Sequence, residues 1–318
     1  MELWLGIGAG LAMLAAGGDL LVRGAASAAH RLGVSPLLIG LTMVGFGTST
    51  PELVTSLQAA FAGSPGIAVG NVVGSNTANI LLILGLTALV APLTVDTRAF
   101  RRDSIALVLA TGACVWAVLQ GYLTREMGLF AVGALIVYVL IVWMTERRLP
   151  DAEGARIEAG AADAARAAPN LWLALPMVAA GIGITVFGAN LLVSGAIVLA
   201  GNLGVSDTLV GLTIVAVGTS LPELVTSLVA AIRKQGDVAL GNIVGSNLYN
   251  ILGILGLTAA IKPIDVPPEI ARFDIWVLVA ATALMILFAR SRGRISRGEG
   301  VALLLGYAAY IGWLAWTA

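Results

Sequence analysis

Two glutamates stand where carboxylates are expensive. Glu52 lies in VGFGTSTPELVTSL and Glu223 in VAVGTSLPELVTSL, and both segments are otherwise apolar or small. An uncompensated acid near the centre of a bilayer costs at least about 2.5–3.5 kcal/mol. The apolar stretches around them, 35–61, 67–91, 206–231 and 238–261, contain no Lys, Arg or His. The partner of each acid is then a proton or a bound cation. A protonated, purely structural glutamate is the competing reading.

Oxygens gather around both acids. Thr48 and Ser49 precede Glu52 by four and three residues, and Thr219 and Ser220 stand in the same relation to Glu223. Helical spacing puts them on the carboxylate's face. Alone, such hydroxyls bond back to the carbonyl four residues earlier. Beside a carboxylate and a proline-opened turn they read as ligands. Pro51 and Pro222 each remove a backbone donor and free a carbonyl about one turn earlier, at Gly47 and Gly218, with Gly45 and Ala216 just before them. A packing kink explains the prolines equally well. Further on, Ser75 and Asn79 are four apart, as are Ser246 and Asn250. The set contains no Cys, His or Met. It favours hard cations such as Na⁺ and Ca²⁺ over Zn²⁺ or Cu⁺. Gly70 and Gly74, with Gly241 and Gly245, are small residues suited to close helix approach. Asn71, Asn76, Asn242 and Asn247 either bond neighbouring backbone or hold the opened turns; spacing does not decide which.

The elements that position these residues are membrane helices. Of 318 residues, 58% are hydrophobic and 11% charged, and mean hydropathy is +0.96. An ordinary soluble domain has about 25% charged residues, so this chain is expected to be an integral membrane protein. Its formal net charge of zero implies no polyanionic partner, and no nucleic acid is expected. The single cysteine, Cys114, sits in an apolar run and makes no internal disulfide. Ten apolar stretches reach spanning length, about 20 residues each: 3–22, 35–61, 67–91, 104–122, 127–145, 171–194, 206–231, 238–261, 273–290 and 299–317. The polar interval 146–170 is Ala-rich and charged and reads as a linker.

The two motifs are copies at one fixed offset. The step that carries Glu52 to Glu223 also carries Ser75 to Ser246 and Asn79 to Asn250. The chain aligns with itself at that step without a gap from Asp19/Asn190 to Leu86/Leu257. Val44–Gln58 and Val215–Val229 are identical at most positions, and the flanking helices are far less alike. Five spans per half is an odd number, so the halves enter the membrane in opposite senses, as an inverted repeat. The expected fold is an all-α membrane protein of ten transmembrane helices in two five-helix repeats, 1–145 and 171–318. DLLVRGA at Asp19 matches NLLVSGA at Asn190, and no Lys or Arg precedes the first apolar run, so the first span belongs to the repeat rather than to a signal peptide. Of the Lys and Arg residues, all but Arg125, Lys262 and Arg272 fall in odd-numbered connections. The positive-inside rule then makes those connections cytoplasmic, with 146–170 inside and both termini outside. Asp19 and Arg23 are spaced for a local ion pair, Asp207 for the positive end of a helix, and His30 for a solvated loop.

The pair GTSTPE…GNVVGSNTAN and GTSLPE…GNIVGSNLYN resembles the two alpha-repeats of the cation/calcium exchanger superfamily, nearest its prokaryotic sodium/calcium exchanger-like members. The resemblance spans essentially the whole chain. It implies four helices around midplane ion sites, with Glu52 and Glu223 as the paired acids. Thr48, Ser49, Ser75, Thr219, Ser220 and Ser246 would be hydroxyl ligands, and Gly45 and Ala216 carbonyl ligands. It also implies that the first and sixth helices slide to alternate access. Where some relatives carry an acid, this chain has Asn250, matching Asn79, which argues against potassium cotransport.

The expected activity is exchange of Na⁺ for Ca²⁺ across a prokaryotic cytoplasmic membrane, with no cofactor and no obligatory protein partner. Two carboxylates balance one Ca²⁺ or two monovalent cations, and protons compete for them. Exchange of H⁺ for Ca²⁺ is therefore the alternative. A serine hydrolase fails for want of a histidine near the site, and an aspartyl dyad fails because the membrane acids are glutamates. A channel would use the same oxygens, but inverted repeats point to alternating access.

Overall fold

The computed structural model describes residues 2–31, 48–95, 97–146, 171–232 and 236–317. These form eleven helices: α1 (Glu2–Arg31), α2 (Thr50–Phe61), α3 (Pro65–Val90), α4 (Thr97–Leu119), α5 (Arg125–Glu146), α6 (Leu171–Leu203), α7 (Asp207–Thr219), α8 (Leu221–Ile232), α9 (236–261), α10 (270–292) and α11 (Arg297–Thr317). Among the described residues eight helices are long and apolar enough to cross a membrane, and α7 with α8, bent by 45°, makes a ninth. The expected span 35–61 is described only from Thr48 onward, and nearly all of the linker 146–170 lies outside the described residues.

Burial separates a core from a lipid-facing shell. The spanning windows of α3 and α9 are each 83% buried, against 17% for α5 and 22% for α11. Large apolar side chains such as Phe130, Trp172 and Trp316 point outward. The interior instead holds Glu52, Glu223, Asn71, Asn79, Asn247 and Asn250. This reverses the soluble arrangement, as expected where the solvent is hydrocarbon.

α1 and α6 pack antiparallel along a seam of small residues. A Cβ on Gly10 would stand 2.8 Å from the Gly188 carbonyl, one on Gly17 2.7 Å from the Thr185 nitrogen, and one on Gly24 2.9 Å from the Ala174 carbonyl. At 30 and 33 residues, both helices run well past the expected ends at 22 and 194. The apolar criterion stopped at the first polar residues, but the Ala- and Arg-rich continuation of α1 retains strong helix propensity. His30 therefore lies in the last turn of α1, not in a loop. The expected Asp19–Arg23 pair forms at 2.9 Å, exposed on α1, where such pairs add little stability.

A second seam joins the halves. Gly66, Gly70 and Gly74 of α3 lie against Thr208, Leu212 and Ala216 of α7. Backbone contact replaces side-chain packing there. The positions equivalent to that α7 row in the first repeat, 37, 41 and 45, lie outside the described residues.

The outer helices are tied across the halves at both ends. β1 (Leu93–Thr94) pairs with β4 (Arg294–Ile295), and β2 (Tyr122–Leu123) with β3 (Ile264–Asp265), both antiparallel. Arg297 Nη2 caps α3 at the Val90 carbonyl (3.3 Å), and Arg125 Nη2 caps α9 at the Ile261 carbonyl (3.4 Å). Cations at helix C-termini bond the last carbonyls and suit the dipole. Within each half a tyrosine adds a further tie. Tyr138 donates to Asp103 at 3.1 Å, and Tyr310 donates to the buried Asp274 at 2.8 Å. Asp103 and Asp274 occupy equivalent positions of the two repeats.

Gly74→Ala should lower the thermal midpoint of detergent-solubilised protein, by the ~1–3 kcal/mol typical of overpacking. Its Cβ would stand 2.5 Å from the Leu212 carbonyl, whereas the control Gly112→Ala meets nothing within 4 Å and should leave the midpoint unchanged or slightly raised.

Candidate functional site

The site forms where two helices are interrupted. α7 ends at Thr219 and α8 begins at Leu221, with Ser220 between them at φ −83°, ψ 7°. Ser49 has nearly the same conformation, φ −90°, ψ 7°, ahead of α2. Pro51 and Pro222 are the second residues of α2 and α8, where a missing N–H costs nothing. They start new helices rather than kink continuous ones. Each break places a serine at a bend, with its glutamate three residues on.

The serines do not serve their own glutamates. Ser49 Oγ donates to Glu223 Oε1 at 2.9 Å, and Ser220 Oγ donates to Glu52 Oε1 at 3.0 Å. Thr48 stands beside the same carboxylate as Ser49, and Thr219 beside the same one as Ser220. The two halves thus exchange hydroxyls across a shared centre. Glu52 and Glu223 are 0% and 1% exposed. A buried carboxylate without a positive partner requires several hydrogen bonds or a cation. Each carboxylate keeps its Oε2 without a hydrogen-bond partner among the described residues.

Of the remaining expected residues, Ser75 reaches the second break. Ser75 Oγ reaches from α3 to the Ala216 carbonyl at 3.3 Å. That carbonyl also accepts from the Ser220 N–H (3.2 Å) and lies 3.3 Å from Thr219 Oγ1. The Ala216 carbonyl is therefore bonded rather than left free. Gly45 and Gly47 lie outside the described residues. Asn79, Asn250 and Ser246 are buried, and the amide atoms of both asparagines and Ser246 Oγ have no hydrogen-bond partner among the described residues. Wide π-type turns begin at Asn79 (Asn79–Ile83) and enclose Asn250 (Tyr249–Leu255). Such turns rotate helix faces locally and recur at functional sites. Buried polar atoms are normally satisfied. An unpartnered set of carboxylate, amide and hydroxyl oxygens fits a hard cation as occupant. Among the described residues no three His, Cys, Asp or Glu side chains cluster to hold a metal.

The four undecided asparagines divide. Asn71 Nδ2 donates to the Glu52 carbonyl (3.2 Å) and to Ser56 Oγ (2.9 Å). Asn242 Nδ2 repeats this with the Glu223 carbonyl (3.5 Å) and Ser227 Oγ (3.0 Å). Asn76 donates back to the Val72 carbonyl at 2.8 Å, whereas both amide atoms of buried Asn247 are unpartnered. Ser56 and Ser227 went unread in the sequence, although each lies four residues after its glutamate inside the repeated ELVTS.

The sequence model of the sodium/calcium exchanger protein family matches residues 2–144 and again 173–316. The chain is 38% identical to CaxA of Alkalimonas amylolytica over 305 residues, covering 95% of each. It is 34% identical to the sodium/calcium exchanger MaX1 of Methanosarcina acetivorans over 343 residues, again covering 95% of each. Among solved structures it resembles the sodium-calcium exchanger NCX_Mj, with a TM-score of 0.65 and 32% identity over 98% of this chain and 99% of that one.

The crossed serine–glutamate bonds predict a specific coupling pattern. Glu223→Gln should diminish the destabilisation caused by Ser49→Ala but not that caused by Ser220→Ala, and Glu52→Gln should do the reverse. Thermal unfolding of the double mutants should show coupling of about 1–3 kcal/mol in the crossed pairs. Equal coupling in all pairings would refute the exchange of hydroxyls.

Proposed function

This chain belongs to the sodium/calcium exchanger family and is an integral membrane cation/Ca²⁺ antiporter, not an enzyme, and we propose that it exchanges Na⁺ for Ca²⁺ at the paired glutamates. The observation that carries this reading is the crossed pair, Ser49 to Glu223 and Ser220 to Glu52. It gathers both acids and hydroxyls of both halves around one centre. The ligands are Glu52 and Glu223, the hydroxyls of Thr48, Ser49, Ser75, Thr219, Ser220 and Ser246, the amide oxygens of Asn79 and Asn250, and the carbonyls of Gly45 and Ala216. One Ca²⁺ or two Na⁺ balance two carboxylates. An unloaded site would leave two ionised acids buried without a counter-charge. Crossing the membrane empty is thereby penalised, and exchange is favoured over leak.

The fold reading is ten helices in two inverted repeats. The paired strands support it. β1 and β4 lie in the third and ninth expected connections, and β2 and β3 in the fourth and eighth. Partners always share parity, as chains alternating across a membrane require. By the distribution of Lys and Arg, the β1–β4 side is cytoplasmic, the linker 146–170 is inside and both termini are outside, in a prokaryotic cytoplasmic membrane. The close glycine contacts between α1 and α6 suit a pair that moves against the core as access alternates.

Protons compete for the same carboxylates, so exchange of H⁺ for Ca²⁺ is the alternative. Radiolabelled Ca²⁺ uptake into inverted vesicles separates the two. Uptake should follow an imposed Na⁺ gradient. Uptake that persists without Na⁺ and collapses with a protonophore would assign the proton version. Glu52→Gln and Glu223→Gln should each abolish flux in either case; normal flux in one of them would remove that residue from the site.

A further inference from the structure

Asn71 does something that its repeat counterpart does not. Its amide nitrogen holds the Glu52 carbonyl and Ser56, as that of Asn242 holds Glu223 and Ser227. Its Oδ1 also lies 3.1 Å from Thr219 Oγ1, across the boundary between the halves. Asn242 has no described hydrogen bond to the first half and is half-buried, whereas Asn71 is fully buried. The two asparagines are equivalent in sequence and unequal in structure.

Three neutral acceptors lie within 3.3 Å of the Thr219 hydroxyl, Asn71 Oδ1 at 3.1 Å, the Val215 carbonyl at 3.1 Å and the Ala216 carbonyl at 3.3 Å, and the Glu52 carboxylate stands beside it. The hydroxyl has one proton to give. The Ala216 carbonyl is already crowded. The Ser220 N–H takes one of its lone pairs, and Ser75 Oγ competes with Thr219 for the other. A cation bound through the Ala216 carbonyl and Thr219 oxygen needs lone pairs on both. That requires the Thr219 proton to point elsewhere. Asn71 Oδ1 is an acceptor for that proton held in place by the amide's own donations to α2.

We infer that Asn71 is a positioning residue for cation binding: it receives the Thr219 proton, leaving the Thr219 oxygen free for the ion and removing one of the three donors that compete for the Ala216 carbonyl. It touches no cation itself. One carboxamide then fixes the Glu52 turn of the first half and the hydroxyl orientation of the second. Asn242 fixes only its own half. This inference rests on the cation-site reading above.

The test is counterflow of radiolabelled Ca²⁺ in liposomes holding the full-length protein, which needs no assumption about the coupling ion. Asn71→Ala and Thr219→Val should each raise half-saturating Ca²⁺ about tenfold, and the double mutant should fall well short of the product, because the Asn71–Thr219 bond is lost in both. Asn242→Ala combined with Thr219→Val should multiply. A multiplicative Asn71→Ala/Thr219→Val pair, or unchanged half-saturation in Asn71→Ala, overturns the inference. Asn71→Asp keeps an acceptor for Thr219, so Thr219→Val should retain its full effect in that background. Loss of the effect there also counts against the inference, and this pair decides if Asn71→Ala does not fold. Glu52→Gln is run alongside. If its counterflow equals that of the unsubstituted protein, the cation-site reading itself fails, whatever Asn71 does.

Discussion

Everything in this molecule is arranged around two carboxylates that no cationic side chain in the described structure accompanies. Glu52 and Glu223 are buried to 0% and 1% exposure in a chain whose surroundings are hydrocarbon. Such a pair is tolerable only if neutral dipoles converge on it and cations or protons complete it. The serines at the bends supply hydroxyls to that centre, Ser49 to Glu223 and Ser220 to Glu52. Polar atoms are concentrated in the interior and apolar ones outside because the centre is polar by necessity and the exterior is lipid.

Holding such a centre requires short distances between backbones. Glycine provides them at two seams, α1 against α6 and α3 against α7. In lipid no hydrophobic force gathers helices, so close packing and internal hydrogen bonds must do so. The aspartate–tyrosine ties, the arginine caps and the short strand pairs perform that service at the periphery. The caps bind an outer helix of one half to a core helix of the other, and the strands pair the connections beside them. The interior can then carry unpartnered polar groups without the bundle loosening.

Much of this was legible in the residues. The acids, the hydroxyls and the constant offset between the copies mark the site directly, because a costly residue repeated at fixed spacing is hard to explain by packing. Helix ends were less legible. α1 continues through alanine- and arginine-rich sequence that hydropathy discounts but helix propensity favours, and α6 continues through the largely apolar GAIVLAGNL beyond the length a span needs. The partners of the serines were not legible either. Spacing on one helix places Ser49 on the face of Glu52, and only the tertiary fold shows that its hydroxyl serves Glu223. The same holds for Asn71, whose third bond crosses to the other half. Asp103 and Asp274 were passed over as ends of spans. Their tyrosines lie 35 and 36 residues further on, beyond any local pattern.

The exchange of hydroxyls between the halves also bears on how the chain changes over time. In neither copy of the motif does the serine bond its own acid; each serves the acid of the other copy. A substitution in one copy of the motif is felt first by the glutamate of the other copy. The two copies are thus held to one sequence by mutual dependence, while the helices around them, which serve only their own half or the lipid, are free to diverge. That asymmetry of constraint is visible in the chain itself: Val44–Gln58 and Val215–Val229 agree at most positions across the bends, and far fewer agree in the shell.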